Sequence, residues 1–95
     1  MGVLFVPPPG TPVEVVWLDH YQPSGPAWWD RDAVVALAPT TCTTVGYLID
    51  ADADRVVVVS SVAPQDEHTD GDLYGSPFVI LRPCITSLRS LAPCV

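Results

Sequence analysis

The residues of this chain that could do chemistry are few and widely spaced. His20 and His68 are the candidate general bases, and Cys42 or Ser60 the candidate nucleophiles. Covalent catalysis needs a nucleophile, a base and an orienting group at one place, and no spacing ties these residues together. The chain is therefore read as non-enzymatic. Cys42, Cys84 and Cys94 lack any C-x-x-C spacing, and zinc would need a further ligand brought by the fold from His20 or His68. Small, buried, apolar thiols are the simpler reading, and the odd cysteine count fits reduced thiols in a cytosol. Asp50-Ala-Asp52-Ala-Asp54 opens with the rhythm of a calcium loop. Arg55, however, stands where that loop needs glycine, and Ser61 where it needs a bidentate Glu. A solvated turn is expected instead, and a hydrophilic loop at the second acidic cluster of Asp66, Glu67, His68, Asp70 and Asp72. No metal or other cofactor is called for.

The pair Trp28-Trp29 points to binding. Adjacent residues on a helix or its lead-in cannot both enter one small core. One is expected inside and the other exposed, where tryptophan serves as an anchor or a stacking surface. With His20, Tyr21, Arg31, Arg55 and Arg82 the pair could build an aromatic-plus-arginine pocket for a nucleotide-like anion. The alternative is that both indoles wedge a helix onto the body of the fold.

The elements that must position these groups are organised around residues 43–62, where two β-rich runs flank an Asp/Ala turn. β-Branched residues favour pleated, half-buried surfaces, and Asp carboxylates bond nearby N–H groups in turns. The pattern predicts a hairpin with strands over 43–49 and 55–62. Ahead of it, 13–18 is a strand with Val13, Val15 and Trp17 on one face. Residues 27–39 predict one short helix with Asp30 as N-cap, Trp29 and Val34 as a hydrophobic staple, and Pro39 as its stop. Val34, Leu37 and Ala38 would face the core; a strand through Val34 and Val35 is the competing reading. Residues 63–75 are a polar loop, 76–82 a strand entered through Pro77, and 85–91 a last strand whose Ile85, Leu88 and Leu91 also fit a helical step. The order predicts a mainly β fold, a small, strongly bent five-stranded barrel with one short helix after the first strand. The barrel is assigned to 13–92, and Pro7-Pro8-Pro9-Gly10-Thr11-Pro12 makes 1–12 a stiff N-terminal arm.

Bulk composition narrows the function classes. Ninety-five residues with 48% hydrophobic content make one domain with a real core. The formal net charge of −7 comes from eleven acidic residues against four basic ones, all arginine. Such a surface repels phosphate backbones and anionic lipid, which disfavours general nucleic-acid binding while leaving room for a local arginine site. Residues 1–6 are too short for a signal h-region and lack a basic start, and no run approaches membrane-spanning length. A soluble, cytoplasmic protein is expected. The apolar excess predicts that it associates with copies of itself.

Two resemblances follow from particular residues. Gly46, Asp50 with Asp54, the run Val56-Val57-Val58-Val59 and Ile80-Leu81-Arg82 resemble the Sm-like (SH3-like) small barrel over residues 43–91. That family forms rings and binds RNA at two turns. Here Asp54 replaces an amide and Pro83 replaces a glycine at those turns, so the likeness carries ring-forming geometry rather than RNA binding. Trp17-Leu18-Asp19, Trp29-Asp30, Thr44-Val45-Gly46-Tyr47-Leu48 and Ile80-Leu81-Arg82-Pro83-Cys84-Ile85 resemble small uncharacterised bacteriophage proteins. This likeness implies a phage origin and action in the host cytoplasm. Two functions are then expected. One is an oligomer that sequesters a small nucleotide-derived ligand as an anti-defence sponge. The other is a protein that binds a host or virion protein through its acidic, aromatic surface.

Overall fold

The computed structural model describes residues 5–65 and 71–91. In chain order the strands are β1 (Pro12–Asp19), β2 (Thr40–Ala51), β3 (Arg55–Val59), β4 (Ser61–Ala63), β5 (Leu73–Gly75), β6 (Phe78–Leu81) and β7 (Ile85–Ser90). Helix α1 (Arg31–Val35) lies between β1 and β2, and a 3-10 turn (Arg82–Cys84) joins β6 to β7. Five strands form one antiparallel sheet in the order β6-β3-β2-β1-β7, and β4 pairs with β5 in a separate two-stranded ribbon.

The core follows from alternation. Val13 and Val15 of β1, Leu48 of β2, Val56 and Val58 of β3, Ile80 of β6 and Ile85 of β7 are buried together. Each strand thus gives its inward positions to one cluster, as a period of two requires. Trp17 extends the inner row of β1, donates from Nε1 to Thr44 Oγ1 at 2.9 Å, and packs its ring 5.4 Å from that of Phe78. That contact spans two intervening strands, so the sheet is strongly curled. Gly46 permits the curl: a Cβ there would lie 2.6 Å from the Val59 carbonyl oxygen. The proline-rich arm is bound to this sheet. Gly10 N donates to Leu48 O and Leu48 N to Thr11 O, Pro7 is buried, and Val6 packs on the core.

The structure corrects several expectations. The sheet does not close into a barrel, because its edge strands β6 and β7 are not paired with each other. β6 has only four residues, and the 3-10 turn containing Pro83 carries the chain straight from one edge to the other. The strand expected over 55–62 breaks at Ser60. The end of the expected loop is instead a strand, β5, paired with β4. Helix α1 starts where its cap predicts, with Asp30 Oδ1 accepting from Ala33 N at 2.8 Å, yet it ends at Val35. Val34, Leu37 and Ala38 are exposed rather than core-facing. A helix this short leaves too little apolar stripe to displace strand contacts from the core. The last segment is a strand, and Asp66, Glu67, His68, Asp70, Cys94 and residues 1–4 lie outside the described residues.

The molecule is long for its size. Its radius of gyration is 17.5 Å and its extents 60 × 32 × 30 Å, against about 12 Å expected for a compact chain of this length.

Candidate functional site

Of the seven residues expected to share one pocket, the structure divides the set. Arg55 opens β3 at the β2–β3 turn, and Arg82, from the 3-10 turn after β6, reaches across to the same turn. Asp52 Oδ1 accepts from the backbone N–H groups of Asp54 and Arg55 at 2.8 and 2.9 Å, closing a tight Asx-type turn. Arg55 then reaches back to Asp50 at 3.1 Å and to Asp52 at 3.7 Å. Arg82 Nη1 donates to the Asp52 carbonyl at 2.6 Å, and Arg82 N to the Asp54 carbonyl at 2.9 Å. The two N–H bonds, with the nearby guanidinium groups, hold the Asp52 carboxyl below its ordinary range. The Asp triplet and both arginines therefore form a structural knot. The Nη1 of Arg55 is buried without a hydrogen-bond partner, while its Nε and Nη2 are taken by Asp52 and Asp50.

The other five residues lie in the connection from β1 to β2. His20 and Tyr21, with Asp19, Pro23, Leu37, Ala38 and Pro39, line an open cleft of about 250 Å³. Trp29 donates from Nε1 to the Pro26 carbonyl at 2.8 Å and lies over Gly25. A Cβ at Gly25 would sit 3.1 Å from the indole, and its φ of +144° also suits glycine alone. The glycine thus lets the loop fold under its own tryptophan. Trp29 is 38% exposed and Trp28 is 91% exposed. The expectation that one indole enters the core is corrected: neither does, because β1, β2, β3, β6 and β7 already fill it. Trp28 instead stands as a knob, and Val34, Val35 and Leu37 of the same connection are exposed as well. Arg31 is exposed on the same element, and no ion pair to it is found among the described residues. No hydrogen bond, ion pair or ring contact links this group to Arg55 or Arg82 among the described residues.

Two features escaped sequence reasoning. Cys84 Sγ lies 3.9 Å from His20 Nε2, bringing together residues 64 apart in the chain. No local spacing encodes that; it arises because the end of β1 runs past the 3-10 turn. Arg89 makes a two-point contact with Glu14 at 2.9 and 3.2 Å across the β1–β7 pair, which lowers the Glu14 carboxyl pKa and raises that of Arg89. Opposite charges at facing strand positions are legible only once the register Glu14↔Arg89 is known.

No protein-family model, curated protein or solved structure matches the chain. Among the described residues no helix is long and apolar enough to cross a membrane.

Proposed function

We propose that the protein is a non-enzymatic binding protein that works as a homo-oligomer and engages a protein partner through the knob at Trp28. One observation carries this reading: large apolar side chains stand uncovered on two faces. One is the outward side of β6, where Val79 and Leu81 are 56% and 58% exposed. The other is the β1–β2 connection, where Trp28, Val34, Val35 and Leu37 are exposed. Exposed large apolar side chains suit interfaces, and an unpaired strand edge invites another chain. The β6 face suits self-association, since it borders such an edge. The Trp28 knob suits insertion into another protein's pocket, because it projects rather than encloses, and tryptophan is the residue most enriched among interface anchors. Asp30 and Asp32 beside it favour a basic rim on that partner.

Gly46 at the curl of β2, the acidic turn, and Ile80-Leu81-Arg82 leading into the last strand β7 support an Sm-like relationship. On its likeness to small phage proteins, the place of action is a host cell's cytoplasm.

Sedimentation tests the oligomer. The expected result is a particle of several times 10.2 kDa that dissociates in a Val79→Glu/Leu81→Glu variant. A wild-type monomer at high concentration overturns the reading.

A second reading, sequestration of a nucleotide-like anion, is favoured by Arg31, which follows the tryptophans in the chain and has no ion pair among the described residues. Its pocket would need residues from a neighbouring copy, since a small-molecule site encloses most of its ligand. Calorimetry with cyclic and ADP-ribose-type nucleotides decides it: intact ligand bound once per protomer supports it, and no heat with either class removes it.

A further inference from the structure

The contact between Cys84 and His20 lies at the wall of a second cleft. This cleft, of about 150 Å³, is lined by Trp17, Leu18, Asp19, His20, Val79, Ile80, Leu81 and Cys84. That is room for about five waters at liquid density, and the lining is largely aliphatic and aromatic. His20 also borders the larger cleft with Tyr21 and Leu37, so the imidazole is reachable from both sides. Cys84 is half-buried, and its sulfur has the histidine as its hydrogen-bond partner. A thiol within hydrogen-bond reach of an imidazole, beside an apolar space open to solvent, is the arrangement that activates cysteine toward soft carbon electrophiles.

We propose that Cys84 is a covalent-modification site for small, uncharged, soft electrophiles of the α,β-unsaturated carbonyl class, with His20 as the base that activates it. In the step, the S–H proton passes to His20 Nε2 while the sulfur lone pair forms a bond to the electrophile's β-carbon. The electron pair of the broken carbon–carbon π bond takes the proton from the imidazolium at the α-carbon. Nothing leaves, and no oxidant is consumed. The cleft favours a compact uncharged reagent over a charged or bulky one. Among the described residues no side chain orients the second ring nitrogen of His20, so the pair suits one stoichiometric event per protomer rather than turnover.

Cys42 supplies the internal control. It is also half-buried and free, but among the described residues its sulfur's one hydrogen-bond partner is the Thr40 carbonyl oxygen, at 3.9 Å. The experiment treats the full chain, carrying Cys94→Ser, with acrylamide at neutral pH and follows each cysteine by peptide mass spectrometry. An ordinary thiol is about 3% thiolate at pH 7, so a base within reach can restore at most about thirtyfold in rate. Cys84 is expected to be labelled at least fivefold faster than Cys42. In His20→Asn and His20→Ala variants the Cys84 rate is expected to fall at least fivefold while that of Cys42 stays unchanged. The Cys42 rate reports folding, because this residue faces Trp17 in the β1–β2 ladder. Equal rates at the two cysteines, or a Cys84 rate that ignores both His20 variants, overturns the proposal.

Discussion

Replacing Gly46 with alanine tests how the sheet achieves its curl. The added Cβ would sit 2.6 Å from the Val59 carbonyl oxygen and 3.3 Å from its carbonyl carbon. Carbon–oxygen contacts rarely fall below about 3.3 Å, so β2 and β3 would have to separate by about 0.7 Å. The obstacle is backbone, which cannot rotate aside as a side chain can. Overpacking of this kind costs about 1–3 kcal/mol, and the stiffer unfolded chain of the alanine variant returns about 0.4–1 kcal/mol. The net loss is about 1.3 kcal/mol. For a domain of this size that lowers the melting temperature by roughly 5–10 °C. The assay is thermal unfolding by circular dichroism at one fixed protein concentration, since oligomers melt in a concentration-dependent way. Gly75→Ala is the control. Its Cβ would meet Ser61 Cβ at 3.3 Å in the exposed ribbon, where a side chain can give way, so its melt should stay close to wild type. If Gly46→Ala melts at or above the wild-type temperature, close approach of Val59 is not what requires glycine there.

Two further outcomes follow from the same geometry. Folding holds the Asp52 carboxyl below its ordinary range, so the ionised form is favoured in the folded state. The stability it contributes is present above the unfolded value of about 4 and is lost as pH falls through the lower folded value. In Asp52→Asn the melting temperature should fall less steeply below about pH 4 than in wild type; matching slopes would argue against this linkage. Trp28→Ala should leave the thermal melt within about 0.5 kcal/mol of wild type, because the indole touches no core residue. The same substitution should weaken partner binding by at least tenfold, as read by surface plasmon resonance on the cognate partner. A large stability loss would mean that Trp28 has a packing role.

Local chemistry announced much of this protein. The Asp30 cap, the Asx turn at Asp52, the valine ladder of β3 and the inward row Val13, Val15 and Trp17 depend on neighbours a few residues away, and each is legible in order along the chain. The ion pairs of Arg55 with Asp50 and Asp52 are less legible, because they depend on how the three-residue turn between β2 and β3 folds the arginine back onto its own aspartates.

The sequence alone determined that the chain is mainly β, where the β2–β3 turn falls, and that it holds more apolar surface than one small core can use. Only tertiary structure decided which apolar residues would be left outside. Val34 and Leu37 look as fit for a core as Val56 and Ile80, but strand pairing fills the interior before a five-residue helix can compete for it. The same packing bends the end of β1 past Cys84 and brings Arg55 to the turn carboxylates and Arg82 to the turn's backbone carbonyls. Periodicity specifies the face on which a side chain lies; what covers that face depends on contacts between segments far apart in the chain.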